Sequence, residues 1–589
     1  MLKPVSSYLW RSRADHLGLP PRKLQESIDA IAQELGISPM ISRLLALRGC
    51  ETPTAADRFL NGSLAQMVDP LKMAGMGRAV DHLVETIHKG ETVCLSVDFD
   101  CDGVFAGAIL VQFFSMVGGK TTLVVPDRIR DGYGLSADTL RKAAALGIKT
   151  VVTADCGITA VEEARLAKEL AITLIVSDHH HAPAVLPEAF ALINPHLPHC
   201  PYPDKSLCGA GVALMLCIAL RRGLRDSGWF NPNRREPDIN RLLDLACMAT
   251  VADLVPLTGI NRPLVRAGLK LINGAPRPGI KALMETAGLE EVSVGKLAFQ
   301  ICPRCNAPGR LSHAGQVVEM MLAKTVEEAR PIAQNLHALN QERQDREKET
   351  IEIAEEKIAA GESGSFSIVL ADSRFTVGVV GIAASKLVER YHRPTFLLHR
   401  CPESGLLKGS ARSIPGFHLV RALEKCRDLL VSFGGHEMAA GLKLEERNLP
   451  LFSRAMEDLV KTTVPELLLT PSLLYDDVLR LSDLSLNLVE QLEQIGPTGM
   501  GCPNPAFVIQ GCAPMAPTIL KDAHLKFQVH QGGGAIPCIA FNQAEKYDLF
   551  RHGSLNLLCQ PQINEWRDRK SVQLMIKDIQ PASGQFGLF

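Results

Sequence analysis

The sequence predicts an α/β protein in which a parallel-sheet domain is joined by a long helix to a smaller α/β domain, followed by a small β-barrel. Short apolar segments alternate with helical segments between about residues 80 and 180, a pattern typical of a parallel sheet with helices on both faces. The stretch from 329 to 360 is helical and polar all round in its middle. After residue 470 the chain changes to about five short strands, which favour a barrel.

The first α/β domain is predicted over residues 71–328, after an N-terminal helical extension over residues 1–70. Runs rich in valine, isoleucine and threonine predict its buried strands. They lie at residues 92–97, 121–125, 149–154 and 172–177. Because each run is short and apolar throughout, we expect the sheet to be covered on both faces.

A helix over residues 329–360 is predicted to connect the two α/β domains. Its middle is polar all round, and Glu342/Arg346 and Arg343/Glu347 have the i,i+4 spacing that supports a solvated helix.

The remaining chain is predicted to form two further domains. Residues 361–465 form a smaller, glycine-rich α/β domain, and residues 466–589 form a β-barrel of the OB kind. A generic β-sandwich is the alternative for the last domain, since short strands alone do not distinguish the two folds.

Composition narrows the class of protein. The chain has 589 residues, 46% hydrophobic and 22% charged, with a net charge of -1, which disfavours a basic nucleic-acid coat protein but permits a local basic groove. It has no apolar run long enough for a transmembrane helix, and its start lacks a signal-peptide core, so we expect a cytoplasmic protein.

The 16 cysteines are scattered, and we interpret the close pair Cys302 and Cys305 as ordinary thiols in a loop.

Acidic and histidine side chains follow the predicted strands. Three acids follow the first strand, one follows the third, an acid and two histidines follow the fourth, and one acid follows an apolar helix over 242–250. In that order they are Asp98, Asp100, Asp102, Asp155, Asp178, His179, His180 and Asp253. The carboxyl ends of parallel strands share one edge of a sheet, where crowded carboxylates repel one another unless a cation binds them.

The ligand types favour Mn²⁺ or Mg²⁺, and two such ions can activate water and stabilise a leaving oxygen in phosphodiester cleavage. Taken singly, an aspartate after a strand is more often a helix cap than a metal ligand. The repetition at successive elements favours a metal site.

The same segments resemble the successive motifs of the DHH phosphoesterase superfamily. They are Asp98 to Gly103, Asp155 to Ile158, Asp178 to His180 and Thr250 to Pro256. Further segments narrow the resemblance to the RecJ family and its DHHA1 domain. These are Asp131 to Ser136, Pro303 to Arg310, Gly378 to Ile382, Lys408 to Ser413 and Phe433 to Gly441.

The resemblance implies a role for each matching residue. The implied metal ligands are Asp100, Asp102, Asp155, His179 and Asp253. Asp178 and His180 would orient the ligand histidine or touch the scissile phosphate. The residues with implied substrate contacts are Tyr133, Arg304, Asn306, Arg310, Ser410, Arg412, Ser413 and His436. For Tyr133 the alternatives of base stacking and buried packing stay open.

The chain departs from the family pattern at several positions. Ser96 stands where some relatives have a histidine ligand, and Phe375-Thr376 replaces a Trp-His pair. Ala307-Pro308 replaces an Ala-Ala pair, and Cys101 replaces a small alanine. None of these changes removes an implied metal ligand.

The resemblance implies a single-stranded-DNA-specific exonuclease that acts from the 5′ end with two divalent cations, in DNA repair and recombination. The implied partners are single-stranded DNA, a single-strand-binding protein and a RecQ-type helicase. We expect no association with a membrane. One alternative is a DHH phosphodiesterase for short oligonucleotides or cyclic dinucleotides, which would need no C-terminal strand-gripping barrel. Another is an inactive replication scaffold, which should have lost the acids that this chain retains.

Overall fold

The computed structural model describes residues 2–127, 132–401, 404–532, 534–566 and 569–582, so Asp131 of the predicted motif lies outside the described residues. The chain divides into two compact units. The first consists of Ser27–Asn340 and Gln494–Asn504, and the second of Met1–Glu26, Gln341–Glu493 and Pro505–Phe589. Across the described ranges, no helix has the length and apolar character needed to span a bilayer.

The first unit is built on a five-stranded sheet in which every strand is parallel to its neighbours. The strands, in spatial order, are Lys120–Val124, Thr92–Val97, Thr150–Ala154, Thr173–Ser177 and Ala191–Ile193. Two of the three inner strands, Thr92–Val97 and Thr150–Ala154, are almost wholly buried, as their largely apolar sequences predict. The strand Ala191–Ile193 was not predicted, because three residues are too few to form a recognisable apolar run.

Helices cover this sheet and extend the unit. Their bounds are Pro21–Leu35, Pro39–Ala46, Pro53–Asn61, Met76–His88, Cys101–Val117, Ala137–Ala145, Val161–Glu169, Gly209–Asp226, Leu243–Ala252, Asn261–Gly274, Pro278–Thr286 and Gly315–Leu322. Several begin at N-cap residues whose hydroxyl accepts a backbone N–H of the first turn; Ser38, Thr52 and Ser136 are examples. Such caps explain why these helices begin where they do.

The predicted connecting helix is present as Val326–Ala359. Both expected ion pairs form in its middle, Arg346–Glu342 at 2.5 Å and Arg343–Glu347 at 3.2 Å. The half-exposed Arg346–Glu342 pair has the spacing that stabilises a solvated helix by about 0.2–0.5 kcal/mol. The Arg343–Glu347 pair is largely buried, so this part of the helix is less solvated than its sequence predicts.

The second unit contains a mixed five-stranded sheet. Its strands, in spatial order, are Ser432–Gly435, Ala439–Glu445, Leu406–Arg412, Thr395–Arg400 and Ile368–Asp372. Only the last two are parallel to each other. Its helices are Val380–Tyr391, Leu419–Lys425 and Leu449–Thr463. Phe396 and Phe452 pack edge to face at 5.5 Å in the core beneath the sheet.

The C-terminal strands close into a five-stranded barrel. In order around the barrel they are Phe507–Leu520, His524–Gln531, Gly534–Ala540, Arg569–Pro581 and Leu555–Trp566. The first strand pairs with both the second and the last in this order, which closes the sheet on itself. This closure confirms the predicted barrel and excludes the β-sandwich alternative.

The N-terminal segment corrects one expectation. Residues 1–70 were predicted to be helical, but Leu9–Ser12 is a strand that pairs in parallel with Ser472–Tyr475. The indole N–H of Trp10 donates to the buried carboxylate of Asp578 at 2.7 Å. Because both partners lie far along the chain, local sequence reasoning could not find this strand.

Candidate metal centre

The first acidic segment begins where the strand Thr92–Val97 ends. Asp98 is buried there, and Asp100 caps the following helix, its Oδ1 accepting the N–H of Gly103 at 3.1 Å. A Cβ on Gly103 would lie 2.5 Å from the carbonyl oxygen of Asp98, so only glycine permits this tight passage from strand to helix. The turn therefore presents several carboxylates within one short segment.

Asp102 is held by the beginning of another helix. Its two carboxylate oxygens accept the N–H groups of Gly209 at 2.6 Å and Ala210 at 2.7 Å, the first residues of the helix Gly209–Asp226. The positive end of a helix dipole stabilises a carboxylate at this place. These bonds fix the orientation of Asp102 inside the cluster.

Asp155 follows the strand Thr150–Ala154 in a left-handed conformation, with φ 65°. Aspartate tolerates this region better than most residues, and the turn directs its carboxylate toward the cluster. A Cβ on Gly209 would lie 2.5 Å from the Cβ of Asp155, so the two residues are in close contact. Asp155 Oδ1 is buried and accepts no hydrogen bond within the described ranges.

His179 lies among the carboxylates. Its Nε2 is 3.2 Å from Asp155 Oδ1, 3.6 Å from Asp102 Oδ2 and 3.8 Å from Asp253 Oδ2. Burial lowers the pKa of this imidazole. A neutral imidazole is the form that binds a metal ion.

The carboxyl groups of the cluster have raised pKa values. Burial, and then the charges of Asp102 and Asp100, raise the pKa of Asp253 to about 8. The pKa of Asp155 is raised well above its ordinary range by burial and by the same two neighbours. Burial and the charge of Asp102 also raise the pKa of Asp100. Carboxylates placed at this cost in solvation and repulsion are typical of a site that binds cations.

Asp178 and His180 form a pair beside the cluster. Asp178 Oδ1 lies 2.7 Å from His180 Nδ1 and also accepts the N–H groups of His179 and His180, while its Oδ2 accepts that of Ile158 at 2.9 Å. Burial opposes the ionised form of Asp178, but these bonds lower its pKa. Burial alone would lower the pKa of His180, but the hydrogen bond and charge of Asp178 raise it to about 9.

Tyr133 lies at the edge of this pair. Its hydroxyl is 3.4 Å from the carbonyl oxygen of Asp155 and from the ring nitrogens of His180, and its ring packs edge to face on Phe99 at 6.4 Å. Tyr133 is 53% exposed, so its hydroxyl packs against the cluster while part of the side chain stays open for a surface contact.

The segment that carries the implied substrate contacts Arg304, Asn306 and Arg310, which resembles a DNA-holding loop of the family, is helical instead. Its short helices are Cys302–Asn306 and Pro308–Leu311. Asn306 Oδ1 accepts the N–H of Cys101 at 2.8 Å, so this side chain supports the acidic turn. Arg304 is partly exposed and its Nε contacts His337 at 3.2 Å.

Arg310 and the two predicted loop cysteines also lie on this helical segment. Arg310 is partly exposed. Cys302 and Cys305 are buried helical thiols, which corrects their expected place in a loop.

The predicted phosphate-binding residues of the second unit lie at two places. Ser410 and Arg412 are on the strand Leu406–Arg412, and a Cβ on Gly381 would lie 2.9 Å from Arg412 Nη2 and 3.4 Å from Ser410 Oγ. His436 is exposed beyond the strand Ser432–Gly435.

Ser413 and Phe375 have structural contacts in this unit. Ser413 is buried, and its hydroxyl donates to the carbonyl oxygen of Phe417 at 2.5 Å, so it holds a turn rather than facing a phosphate. Phe375, at one of the departures from the family pattern, is a core residue whose carbonyl oxygen lies 2.6 Å from His399 Nδ1.

The cluster contains overlapping sets of potential ligands. Within each set, one ligand atom per residue lies within 4.8 Å of the others. The sets are Asp98 with Asp100 and Asp155, Asp102 with His179 and Asp253, and Asp155 with His179 and His180. The buried, unbonded oxygen of Asp155 and the mixture of carboxylate and imidazole fit hard or borderline divalent cations.

Three family models match successive parts of the chain. The N-terminal domain of the DHH family matches residues 92–250, the DHHA1 domain matches residues 364–462, and the RecJ OB domain matches residues 475–578. A single-stranded-DNA-specific exonuclease RecJ from Salmonella typhimurium is 36% identical over 92% of this chain and 96% of its own length. The chain belongs to the RecJ family.

Other RecJ proteins give the same result. The Escherichia coli RecJ exonuclease is 35% identical over 95% of this chain and 98% of its own length, and the Bacillus subtilis protein is 34% identical over 94% and 69%. The structure of Thermus thermophilus RecJ in complex with Mn²⁺ matches with a TM-score of 0.81 and 27% identity, covering 97% of this chain and 79% of that one. The same protein in complex with Mg²⁺ matches with a TM-score of 0.74.

Sequence reasoning missed several residues that shape the centre of this RecJ-family chain. Gly209 and Ala210 orient Asp102, and Asn194 is buried and donates from Nδ2 to the carbonyl oxygen of His180 at 2.8 Å. The Cys-Gly-Ala-Gly start of an apolar helix was a visible signal for the first two. Nothing near Asn194 in sequence indicates its role.

Proposed function

We propose that this chain is a single-stranded-DNA-specific exonuclease that removes nucleotides from the 5′ end with two divalent cations, Mn²⁺ or Mg²⁺. The observation that carries the proposal is the arrangement of His179 Nε2 within 3.8 Å of carboxylate oxygens from three separate segments, with a buried unbonded oxygen on Asp155. Membership of the RecJ family supports both the reaction and the strand preference.

The ligand sets support a division of labour between two cations. Asp100 and Asp155, with Asp98 beside them, would hold one ion, and Asp102, His179 and Asp253 would hold the other. Asp155 would serve both ions, since it lies close to each set. When bound, two such cations supply activation of water and neutralisation of charge on the phosphate.

The chain's own groups contribute binding and orientation. In the metal-free chain, the hydrogen bond and charge of Asp178 raise the pKa of His180 to about 9, against the lowering effect of burial. The partly exposed ring would donate a hydrogen bond to a phosphate oxygen when it is protonated. Asp178 would hold that ring in place, because its Oδ1 lies 2.7 Å from His180 Nδ1. Tyr133, at the edge of the pair, would stack on a base next to the scissile bond.

Polar groups of the second unit would bind the phosphates near the 5′ end. Ser410 and Arg412 border Gly381, next to the start of the helix Val380–Tyr391, where backbone N–H groups favour an anion. His436 and the glycines before it would add contacts from an exposed hairpin. Arg304 and Arg310 would bind the strand from the first unit. The hydroxyl of Ser413 already donates to the carbonyl oxygen of Phe417, so Ser413 would not bind a phosphate.

We also propose a biological setting. The enzyme would act in the cytoplasm in DNA repair and recombination, with a RecQ-type helicase supplying single strands and a single-strand-binding protein covering them. The RecJ OB domain match supports strand binding by the barrel.

Digestion of end-labelled DNA tests the reaction. Single strands and duplexes labelled at either end are incubated with Mn²⁺, Mg²⁺ or EDTA. We expect the label at the 5′ end of single strands to be released first, only with a metal, and with little release from blunt duplex. Equal rates from both ends, or activity in EDTA, would contradict the proposal.

A further inference from the structure

An exposed apolar track begins directly beside the metal centre in the first unit. Leu254 follows the ligand Asp253, is 64% exposed and has a left-handed backbone with φ 57°. A leucine in this conformation is uncommon, and such strain tends to persist where it serves a function. Most of this residue is exposed, so the fold presents an apolar group to solvent directly after a predicted metal ligand.

A second exposed apolar residue continues the track. The N–H of Leu257 donates to the carbonyl oxygen of Met500 at 2.8 Å, which attaches the loop of residues 494–504 to the segment after Asp253. Met500 is 59% exposed. A Cβ on Gly499 would lie 2.8 Å from Leu257 and 3.4 Å from Val294, so this loop also borders the start of the next helical segment.

The third residue of the track lies on that segment. Phe299 is 82% exposed and belongs to the π-helical turn Leu297–Ile301, a local structure often found at functional sites. Lys296 is exposed before it, and Arg304 is partly exposed after it. Among the described residues, neither cation forms an ion pair with a carboxylate.

We propose that Leu254, Met500 and Phe299 bind unpaired nucleobases of the strand whose phosphates enter the metal centre. The proposal rests on the proposed exonuclease function and deepens it by assigning a base-binding surface. Leu254 directly follows the ligand Asp253, so a strand at the metal centre would pass beside it. Lys296 and Arg304, whose side chains bond backbone carbonyl oxygens, would add positive charge beside the strand's backbone. Aromatic and thioether groups contact the faces of every base, so this surface takes single strands without sequence preference.

Binding to a strand without bases tests this surface. Fluorescence anisotropy in EDTA compares labelled oligothymidylate with an abasic sugar-phosphate strand of the same length. We expect the wild-type chain to bind the strand with bases about tenfold more tightly or better, because stacking stabilises each base. Phe299→Ala and Met500→Ala should reduce this ratio severalfold, and Phe299→Trp should keep it. Leu146→Ala, which removes another exposed apolar side chain of the same unit, is the matched control and should also keep it.

Three results would overturn the inference. They are a wild-type ratio near one, an unchanged ratio in Phe299→Ala and Met500→Ala, or equal weakening of both strands in these variants. Cleavage of labelled single strands with Mn²⁺ is measured in parallel. Normal cleavage with an unchanged ratio rejects the base-binding track alone, whereas absence of cleavage in the wild type rejects the proposed function.

Discussion

Each carboxylate of the metal centre has a different set of supporting contacts. Asp102 accepts two backbone N–H groups, Asp178 accepts three and contacts an imidazole, and Asp155 Oδ1 is buried without a hydrogen bond in the described part of the chain. The first two are therefore oriented by the protein alone. The carboxylate form of Asp155 therefore depends on an outside cation, so substitution of this residue separates metal binding from folding.

Asp155→Asn should abolish Mn²⁺-dependent cleavage while stabilising the metal-free chain. The amide keeps the shape and is neutral without having to bind a proton, so it avoids the cost that burial and neighbouring charges impose on the Asp155 carboxyl. We therefore expect a higher Tm in EDTA and a rate reduced by more than about a hundredfold. Asp81→Asn, at an exposed helical position of the same unit, is the control and should change neither quantity. Undiminished cleavage by Asp155→Asn would remove this residue from the site.

The pKa of Asp253 predicts a pH dependence of metal-free stability. Because folding raises this pKa to about 8, the folded chain binds the proton more tightly than the unfolded chain does. The free energy of unfolding should therefore fall as pH rises from about 4 toward 8, and Mn²⁺ should raise the Tm more near pH 8 than near pH 6. Thermal melts of the wild type and Asp253→Asn, with Mn²⁺ or EDTA, measure both effects.

Asp253→Asn should lose part of this pH dependence in EDTA, since it has no carboxyl proton to release. Identical changes of Tm with pH in the two chains would show that Asp253 titrates normally.

At the scale of elements, the site depends on close packing between a strand end and a helix start. Gly209 begins the helix Gly209–Asp226, donates to Asp102, and leaves room for Asp155 that a methyl group would fill. The geometry of the carboxylates is therefore set by how closely this helix approaches the sheet.

Gly209→Ala should weaken Mn²⁺ binding. The added Cβ would lie 2.5 Å from that of Asp155, so the helix or the aspartate must move, at a cost of about 1–3 kcal/mol in folding free energy. Titration calorimetry and urea unfolding measure the two effects. Gly77→Ala, in a helix with no atom within 4 Å of the new Cβ, should leave Mn²⁺ affinity unchanged. Equal Mn²⁺ affinity in all three chains would contradict the packing argument.

Local patterns predicted the four longer strands and the acids that follow them, because apolar runs and strand ends are properties of short segments. They did not predict the support of Asp102 by Gly209 and Ala210, because that contact joins residues 107 and 108 positions apart. The individual ligand roles stay predictions, since clustering alone does not assign ions to oxygens.

At the scale of the whole molecule, the chain passes from the second unit back into the first for a short segment and then returns to the second. Residues 494–504 belong to the first unit although the chain on both sides of them belongs to the second. Arg262 is buried and donates to the carbonyl oxygens of Phe59, Ile495 and Gly496, so this segment is tied into the first unit. The predicted domain limits at residues 70, 328, 360 and 465 stay predictions, and truncation after residue 465 would also remove the carbonyl groups of Ile495 and Gly496.

Arg262→Lys should destabilise the chain by roughly 2 kcal/mol or more, because an ammonium group cannot reproduce the planar donors and leaves buried carbonyl groups unpaired. Urea unfolding measures the change. Arg235→Lys, at an exposed position, is the control and should be neutral. A urea unfolding curve of Arg262→Lys that matches the wild type would show that residues 494–504 do not need the hydrogen bonds of Arg262.

The most direct test of the shared metal centre is anomalous diffraction at the manganese edge from crystals of this chain grown with Mn²⁺. We predict two peaks about 3.5–4 Å apart, with Asp155 contacting both and His179 contacting one. A single peak, or manganese away from Asp102, Asp155 and Asp253, would contradict the account.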